Sequence, residues 1–161
     1  MKSYKNHTLQ QYADVLAARE PVPGGGSAAA LVASLGVALI SMVANYSIGK
    51  NSSKVMNAKF KATLRHSERL RKGLLTIVDL DAWAYLDVVK ARKKSAAQKR
   101  KALLKAQKTP LAVCQLCYEA VGLTPLLVTH GNKYLLSDVK VALEFLWAAF
   151  QSAVINIEAN Q

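Results

Sequence analysis

Acidic residues are scarce in this chain: 10 Asp and Glu stand against 22 Lys and Arg, a formal net charge of +12. A surface of that sign attracts polyanions, whether nucleic acid, acidic lipid or a small ligand with several carboxylates, and charge alone does not choose among them. Aromatic residues are also few, at 7%, although hydrophobic residues make up 52%. The apolar content is therefore mostly Ala, Leu and Val, and only four prolines interrupt the chain. Ala and Leu are strong helix formers, so the mix disfavours a sheet protein and favours packed helices. No apolar/polar alternation survives for more than a few residues, no internal repeat is present, and no linker divides the sequence. At 161 residues it is the size of one domain, with enough chain to bury a core without staples.

Cysteine is nearly absent. Cys114 and Cys117 form a single C-x-x-C pair, which is half of a structural zinc site and has no histidine close by. A redox pair would follow a strand and open a helix, whereas this one lies inside PLAVCQLCYEAVGL, which reads as helix interior. Buried thiols in a reducing cytosol are the expected outcome. No secretory signal is expected, because the first apolar run comes late and follows Arg19 and Glu20. Charge is missing altogether between Pro21 and Gly49, a stretch long enough to span a membrane. It opens with glycines, however, and Ser27, Ser34, Ser41, Asn45 and Ser47 dilute it, with much of its bulk in weakly inserting Ala and Gly. A central helix buried by its neighbours is expected, with no membrane partner.

The periodicity predicts helices over Thr8–Ala18 with Thr8 as cap, Ser27–Tyr46, Ser53–Ala91, Pro110–Val121, a turn at Pro125–Thr129, and a last helix from Asp138 to about Glu158 capped by Ser137. Ala29, Ala33 and Gly36 would let a second helix approach the apolar one closely. Lys90–Lys108 reads as a solvated basic turn followed by the start of a helix. The fold class is all-α: a single-domain helical bundle, residues 1–161, around a buried Ala-rich helix.

Three clusters stand above this background. Gly24, Gly25 and Gly26 run through Ser27 into a helix; glycines admit close backbone approach and a helix N-terminus favours negative charge. A tight helical corner explains them equally well, since the run lacks the spacing of a P-loop or dinucleotide fingerprint. Asp79 and Asp81 interrupt an apolar stretch on different helix faces, so one can point inward with a pKa shifted by burial; two solvated carboxylates are the plainer reading. Asn132 and Asp138 precede and open a helix carrying Asn156 and Asn160, which share a face. An aspartate in a first turn needs only the helix dipole to explain it.

Their order and spacing together resemble one family. PVPGGGSAAALVASLGVALISMVANYS is similar to the opening signature of the cyclodeaminase/cyclohydrolase family of folate enzymes. Gly49-Lys50, the Asp-x-Asp-Ala-x-Ala-aromatic run from Asp79 to Tyr85, TPLAVCQLC, Gly131-Asn132, Ser137-Asp138-Val139, Ala148-Ala149 and Asn156 continue the likeness from about Leu9 to Asn160.

The resemblance implies an all-helical homodimer, cytoplasmic, without metal or redox cofactor, acting on a tetrahydrofolate derivative. The implied reaction hydrolyses 5,10-methenyltetrahydrofolate to the 10-formyl compound or cyclises 5-formiminotetrahydrofolate with release of ammonia. The expected catalytic residues are Asp138 or Asp81, orienting and deprotonating water, and Lys50, holding a folate carboxylate or tuning an aspartate. Gly24, Gly25, Gly26 and Ser27 would offer backbone donors to the substrate, and Asn45, Asp79, Asn132 and Asn156 would line it. A polyglutamylated folate suits the +12 charge. Family members continue into a further C-terminal segment, so the C-terminal part is expected to be short here. The rival readings are a non-catalytic relative that binds folate or a partner protein, and a basic nucleic-acid binder using Lys90, Arg92, Lys93, Lys94, Lys99, Arg100 and Lys101. No aromatic is interleaved with those charges and no helix-turn-helix pattern is present, which disfavours the last.

Overall fold

The computed structural model describes residues 3–50 and 53–159. Among them the elements are a 3-10 turn at Tyr4–Asn6, α1 (Leu9–Ala17), α2 (Gly25–Ser47), α3 (Lys54–Ala91), α4 (Ala96–Val121), α5 (Thr124–His130), a second 3-10 turn at Lys133–Leu135, and α6 (Leu136–Ala159), with no strand. The expected all-helical bundle is the observed one.

Helix α2 is its axis. Val37, Ile40 and Val43 are fully enclosed, and they meet Phe60, Leu70, Leu74 and Val78 of α3 and Leu146 of α6 in one core. Residues at three- and four-residue steps share a helix face, so the Ala-rich pattern delivers one continuous inner stripe. Gly36 permits the close α2–α6 crossing: a Cβ there would stand 3.0 Å from the Ala142 carbonyl oxygen and 3.2 Å from the Leu146 side chain. The two helices run antiparallel, with Gly25 against Asn156 at one end and Ser47 bonded to Asn132 at the other.

By length and composition α2 is apolar enough to cross a membrane, with mean hydropathy 2.1, and so are segments 96–130 and 133–159. In the bundle the polar positions of α2 have partners: Ser41 donates to Ser67 at 2.8 Å, and Ser34 and Ser47 donate to the carbonyls of Leu31 and Val43. Burial is not complete all round, however. Ala28, Val32, Leu35, Leu39, Met42 and Tyr46 form an outer stripe that is half-buried or exposed.

Local chemistry explains most boundaries. Thr8 and Gln11 form a capping box at the start of α1, with bonds of 3.2 and 3.0 Å, and Ser53 accepts from the Met56 N–H at the start of α3. Two expectations need correction. The helix expected to start within 90–108 and the one expected from Pro110 are a single helix α4 from Ala96, with the proline in its interior, because Ala, Lys, Leu and Gln of 96–108 are good helix formers and Gln98 folds back on the Ser95 N–H. Helix α6 begins before Ser137, which is an exposed first-turn residue and no cap; the capping side chain is Asn132, whose oxygen accepts from the Tyr134 N–H at 3.1 Å and starts the 3-10 turn that leads into the helix.

Candidate active site

The glycine run closes on the second aspartate of the Asp-x-Asp pair. Gly24 caps α2 in extended conformation and Gly25 and Gly26 are its first residues. A Cβ on Gly26 would overlap the Asp81 carboxyl, so the absent side chain is what admits that group against the start of the helix. The Ser27 N–H donates to the Asp81 carboxylate, as helix N-termini do toward anions. The Ser27 hydroxyl is fully buried, 2.9 Å from the Tyr12 hydroxyl. Burial raises the Asp81 pKa above the ordinary carboxylate range, and the Ser27 amide only partly opposes it. The same burial, with Asp81 nearby, pushes the Tyr12 phenol upward against the Ser27 hydrogen bond.

Asp81 stands in the wall of a cavity of about 520 Å³. The glycines form one side; Tyr85, Val88 and Arg92 continue the α3 wall, Leu103 and Ala106 of α4 stand opposite, and Asn156 of α6 closes the end. The Asn156 amide lies against Gly25 and donates to the Ser152 carbonyl at 2.8 Å. The arrangement offers a half-buried carboxyl, a side-chain amide, a phenol and a guanidinium around one space. A cavity of this size, mostly apolar with a few convergent polar groups, is a small-molecule site in form.

Asp79 is elsewhere. It is buried on the other face of α3, and its oxygens accept from the Ser3 hydroxyl at 2.7 Å, the Tyr4 N–H at 2.6 Å and the Lys5 N–H at 3.1 Å. Two positions along a helix rotate a side chain by more than half a turn, so the pair divides into an anchor for the N-terminal segment and a cavity group. Expected as a substrate contact, Asp79 is placed as this anchor.

The remaining expected residues lie far from the glycines. Asn45, exposed, is on the last turn of α2, and Lys50 is exposed just beyond it. The Asn132 N–H donates to Ser47 at 2.9 Å, and Asp138 is half-buried in the first turn of α6. From Gly25 to Ser47 the rise of a helix is about 33 Å. One chain therefore gathers Gly24, Gly25, Gly26, Ser27, Asp81 and Asn156 at one end, and Asn45, Lys50, Asn132 and Asp138 at the other. None of the main cavities among the described residues is lined by the second group. Asn160 falls outside the described residues.

The model of one family, formiminotransferase-cyclodeaminase, matches residues 8–161. The chain belongs to that family. A methenyltetrahydrofolate cyclohydrolase of Methylorubrum extorquens is 35% identical over 96% of this chain and 79% of its own length. The formimidoyltransferase-cyclodeaminase of Gallus gallus is 31% identical over 94% of this chain, which spans only 30% of that longer protein. A crystal structure of formiminotetrahydrofolate cyclodeaminase from Thermotoga maritima superposes with a TM-score of 0.93 at 29% identity, covering 97% of this chain and 79% of that one.

Tyr85 and Arg92 also line the cavity; from sequence Tyr85 stood only as the end of the Asp-x-Asp run and Arg92 only among the cations of the nucleic-acid alternative. A signal for them existed: Asp81, Tyr85, Val88 and Arg92 follow one another at four, three and four residues, one face of one helix. Cys114 and Cys117 are free and buried, and burial pushes the Cys117 thiol up to about 12, so it stays protonated near neutrality.

Proposed function

We propose that this member of the formiminotransferase-cyclodeaminase family is a folate one-carbon enzyme that hydrolyses 5,10-methenyltetrahydrofolate to 10-formyltetrahydrofolate. The observation that carries the reading is the Asp81 carboxyl, held against the glycine turn at the wall of the cavity. The 35% identical relative named for this activity supports the choice of substrate.

The methenyl carbon between N5 and N10 is an amidinium-like electrophile and needs little activation. Water attacks it, and Asp81 as carboxylate takes one water proton as the C–O bond forms. The tetrahedral carbon then collapses: the hydroxyl becomes the formyl oxygen, the C–N5 bond breaks, and N5 receives the proton from Asp81. One proton is released overall, matching the loss of the substrate's positive charge. A carboxyl whose pKa is raised by burial is suited to both halves of this shuttle. Asn156 and the backbone at Gly25 present polar groups to the pterin edge or the forming oxygen. This scheme uses no metal or redox cofactor.

Arg92 at the cavity wall gives the rim of the site a cation suited to the carboxylates of a polyglutamylated folate. A homodimer in the cytoplasm completes the reading; the uninterrupted apolar stripe on α2 supports pairing with a second copy. Cyclisation of 5-formiminotetrahydrofolate passes through a tetrahedral carbon at the same position, and the fold of the Thermotoga maritima protein favours it as the second reading.

Loss of methenyltetrahydrofolate absorbance, corrected for spontaneous hydrolysis, is the test. Wild-type protein accelerates the loss, and Asp81→Asn removes that acceleration by about a hundredfold or more. Undiminished activity in Asp81→Asn sinks the assignment of this residue. No acceleration by the wild type, with ammonia released from formiminotetrahydrofolate, moves the assignment to the cyclodeaminase reaction.

A further inference from the structure

Between the N-terminal turn, α1, α2 and α3 lies a second cavity, of about 230 Å³, that shares no lining residue with the one holding Asp81. Leu31 and Leu35 of α2 and Leu75 and Val78 of α3 make it apolar, and three basic side chains, Lys5, His7 and Arg71, complete its wall. Among the described residues no Asp or Glu lines the space. An apolar cavity of about 150 Å³ is enough for benzene, so this one has room for an aromatic ring and a small charged group.

The basic groups have donors to spare. Arg71 spends two N–H groups on Glu68, at 2.9 and 2.7 Å, and those bonds fix the guanidinium in the wall. Its other N–H groups have no protein partner among the described residues. His7 carries the one buried side-chain nitrogen or oxygen among the described residues that lacks a partner, its Nδ1. An orphaned buried N–H is less tolerable than a bare acceptor, so the neutral ring keeps its proton on Nε2 and offers a donor there. The Lys5 ammonium has no ion-pair partner among the described residues either. Asp79 sets this wall in place: it accepts from the Ser3 hydroxyl and from the Tyr4 and Lys5 N–H groups, and so holds the segment carrying Lys5 and His7 against α3.

Two tyrosines connect this cavity to the candidate active site. Tyr4 and Tyr12 both line the smaller cavity. The Tyr4 hydroxyl donates to the Val22 carbonyl at 3.3 Å, and Val22 stands in the wall of the Asp81 cavity. The Tyr12 hydroxyl is 2.9 Å from that of Ser27, whose N–H donates to Asp81.

We propose that this cavity is an effector site, distinct from the folate site, for a monocarboxylate with a small apolar body such as an aromatic ring, and that its occupant alters catalysis through Tyr12 and Ser27. A carboxylate of this kind suits both parts of the wall: Arg71 and His7 donate to it, Lys5 neutralises it, and the leucines cover the body. Inorganic phosphate would satisfy the cations and leave the apolar walls bare. The effect on catalysis rests on the reaction proposed above; the binding does not.

The test follows the fluorine NMR line of 4-fluorobenzoate as the full chain is added. Wild-type protein should bind it with a Kd of about 1 mM, as expected for so small a ligand. Lys5→Met with His7→Leu removes two donors and keeps the bulk; the helical circular dichroism should be unchanged and the affinity should fall about tenfold. Neutral 4-fluorobenzamide should bind about tenfold more weakly than the acid, and equimolar inorganic phosphate should not displace the probe. No binding by the wild type at about 10 mM probe overturns the site, and so does undiminished binding by the double variant, which would put the probe elsewhere. Equal binding of the amide, or displacement by phosphate, overturns the ligand class. In the methenyltetrahydrofolate assay, saturating 4-fluorobenzoate should change wild-type kcat/KM about threefold and leave that of the double variant unaltered. An unchanged wild-type rate with the probe bound overturns the link to Asp81. Protein that hydrolyses no methenyltetrahydrofolate strikes instead at the proposed reaction and leaves the fluorine titration to judge the site.

Discussion

The two ends of α2 solve different problems. At its start the helix has no side chains for two residues: the Asp81 carboxyl fills the space at Gly26, the Asn156 amide lies against Gly25, and both glycines line a cavity. At its end a serine does conventional structural work: Ser47 donates to the Val43 carbonyl and accepts from Asn132, tying the turn before α6 to the bundle. The same helix thus begins in the wall of a cavity and finishes as a joint. Polar residues at a helix end are ambiguous until their partners are known, because capping and ligand binding use the same groups.

The largest expected effect breaks the glycine end. Gly26→Ala places a methyl into the Asp81 carboxyl; kcat/KM should fall about a hundredfold as the carboxyl is displaced by an ångström or so, with the helical circular dichroism unchanged. Wild-type activity in that variant would remove the distinction between the two ends. Asp79→Ala sharpens the comparison within α3. It abandons the Ser3, Tyr4 and Lys5 donors, so denaturant unfolding should show a loss of about 2–3 kcal/mol, while the folded fraction keeps its kcat. Asp81→Asn should do the reverse, which makes the two aspartates a matched pair of stability and chemistry.

The pH profile separates them further. Asp81 must be ionised to take a proton, and burial raises its pKa. The acid limb of kcat/KM should therefore fall away as pH drops through a value above about 3.9, the ordinary aspartate pKa, and be absent from the residual activity of Asp81→Asn. A limb at the ordinary value would mean a solvated carboxylate. The smallest effect concerns the rim. Arg92→Gln should raise KM about tenfold for a polyglutamylated substrate and far less for the monoglutamate, with kcat retained; equal changes for both would place Arg92 on the pterin instead.

Much of this was legible in the chain. The Thr8 cap, the apolar period of α2 and α3, and the small residues at Gly36 are local signals, and each produced the element it announced. Helix α4 was legible as two pieces, a start within 90–108 and a helix from Pro110, because a proline looks like a beginning when it stands inside a helix. In the candidate site, the glycines and the Asp-x-Asp pair were visible, but not the division of labour between Asp79 and Asp81. Tyr85 and Arg92 were hidden in plain periodicity, one and three turns beyond Asp81 on its own face.

Composition and period by themselves determined an all-α bundle around an Ala-rich helix, since side-chain spacing along a helix is fixed by its 3.6-residue turn whatever surrounds it. Only the tertiary structure decided which polar residues meet. Asp81 and Gly26 are distant in sequence and in contact in space; Asp81 and Asp138 belong to one sequence signature, yet the antiparallel run of α2 and α6 sends them to opposite ends of one chain. The reason is physical: a helix carries local pattern rigidly over about 33 Å, and only the packing of its neighbours sets what stands at either end.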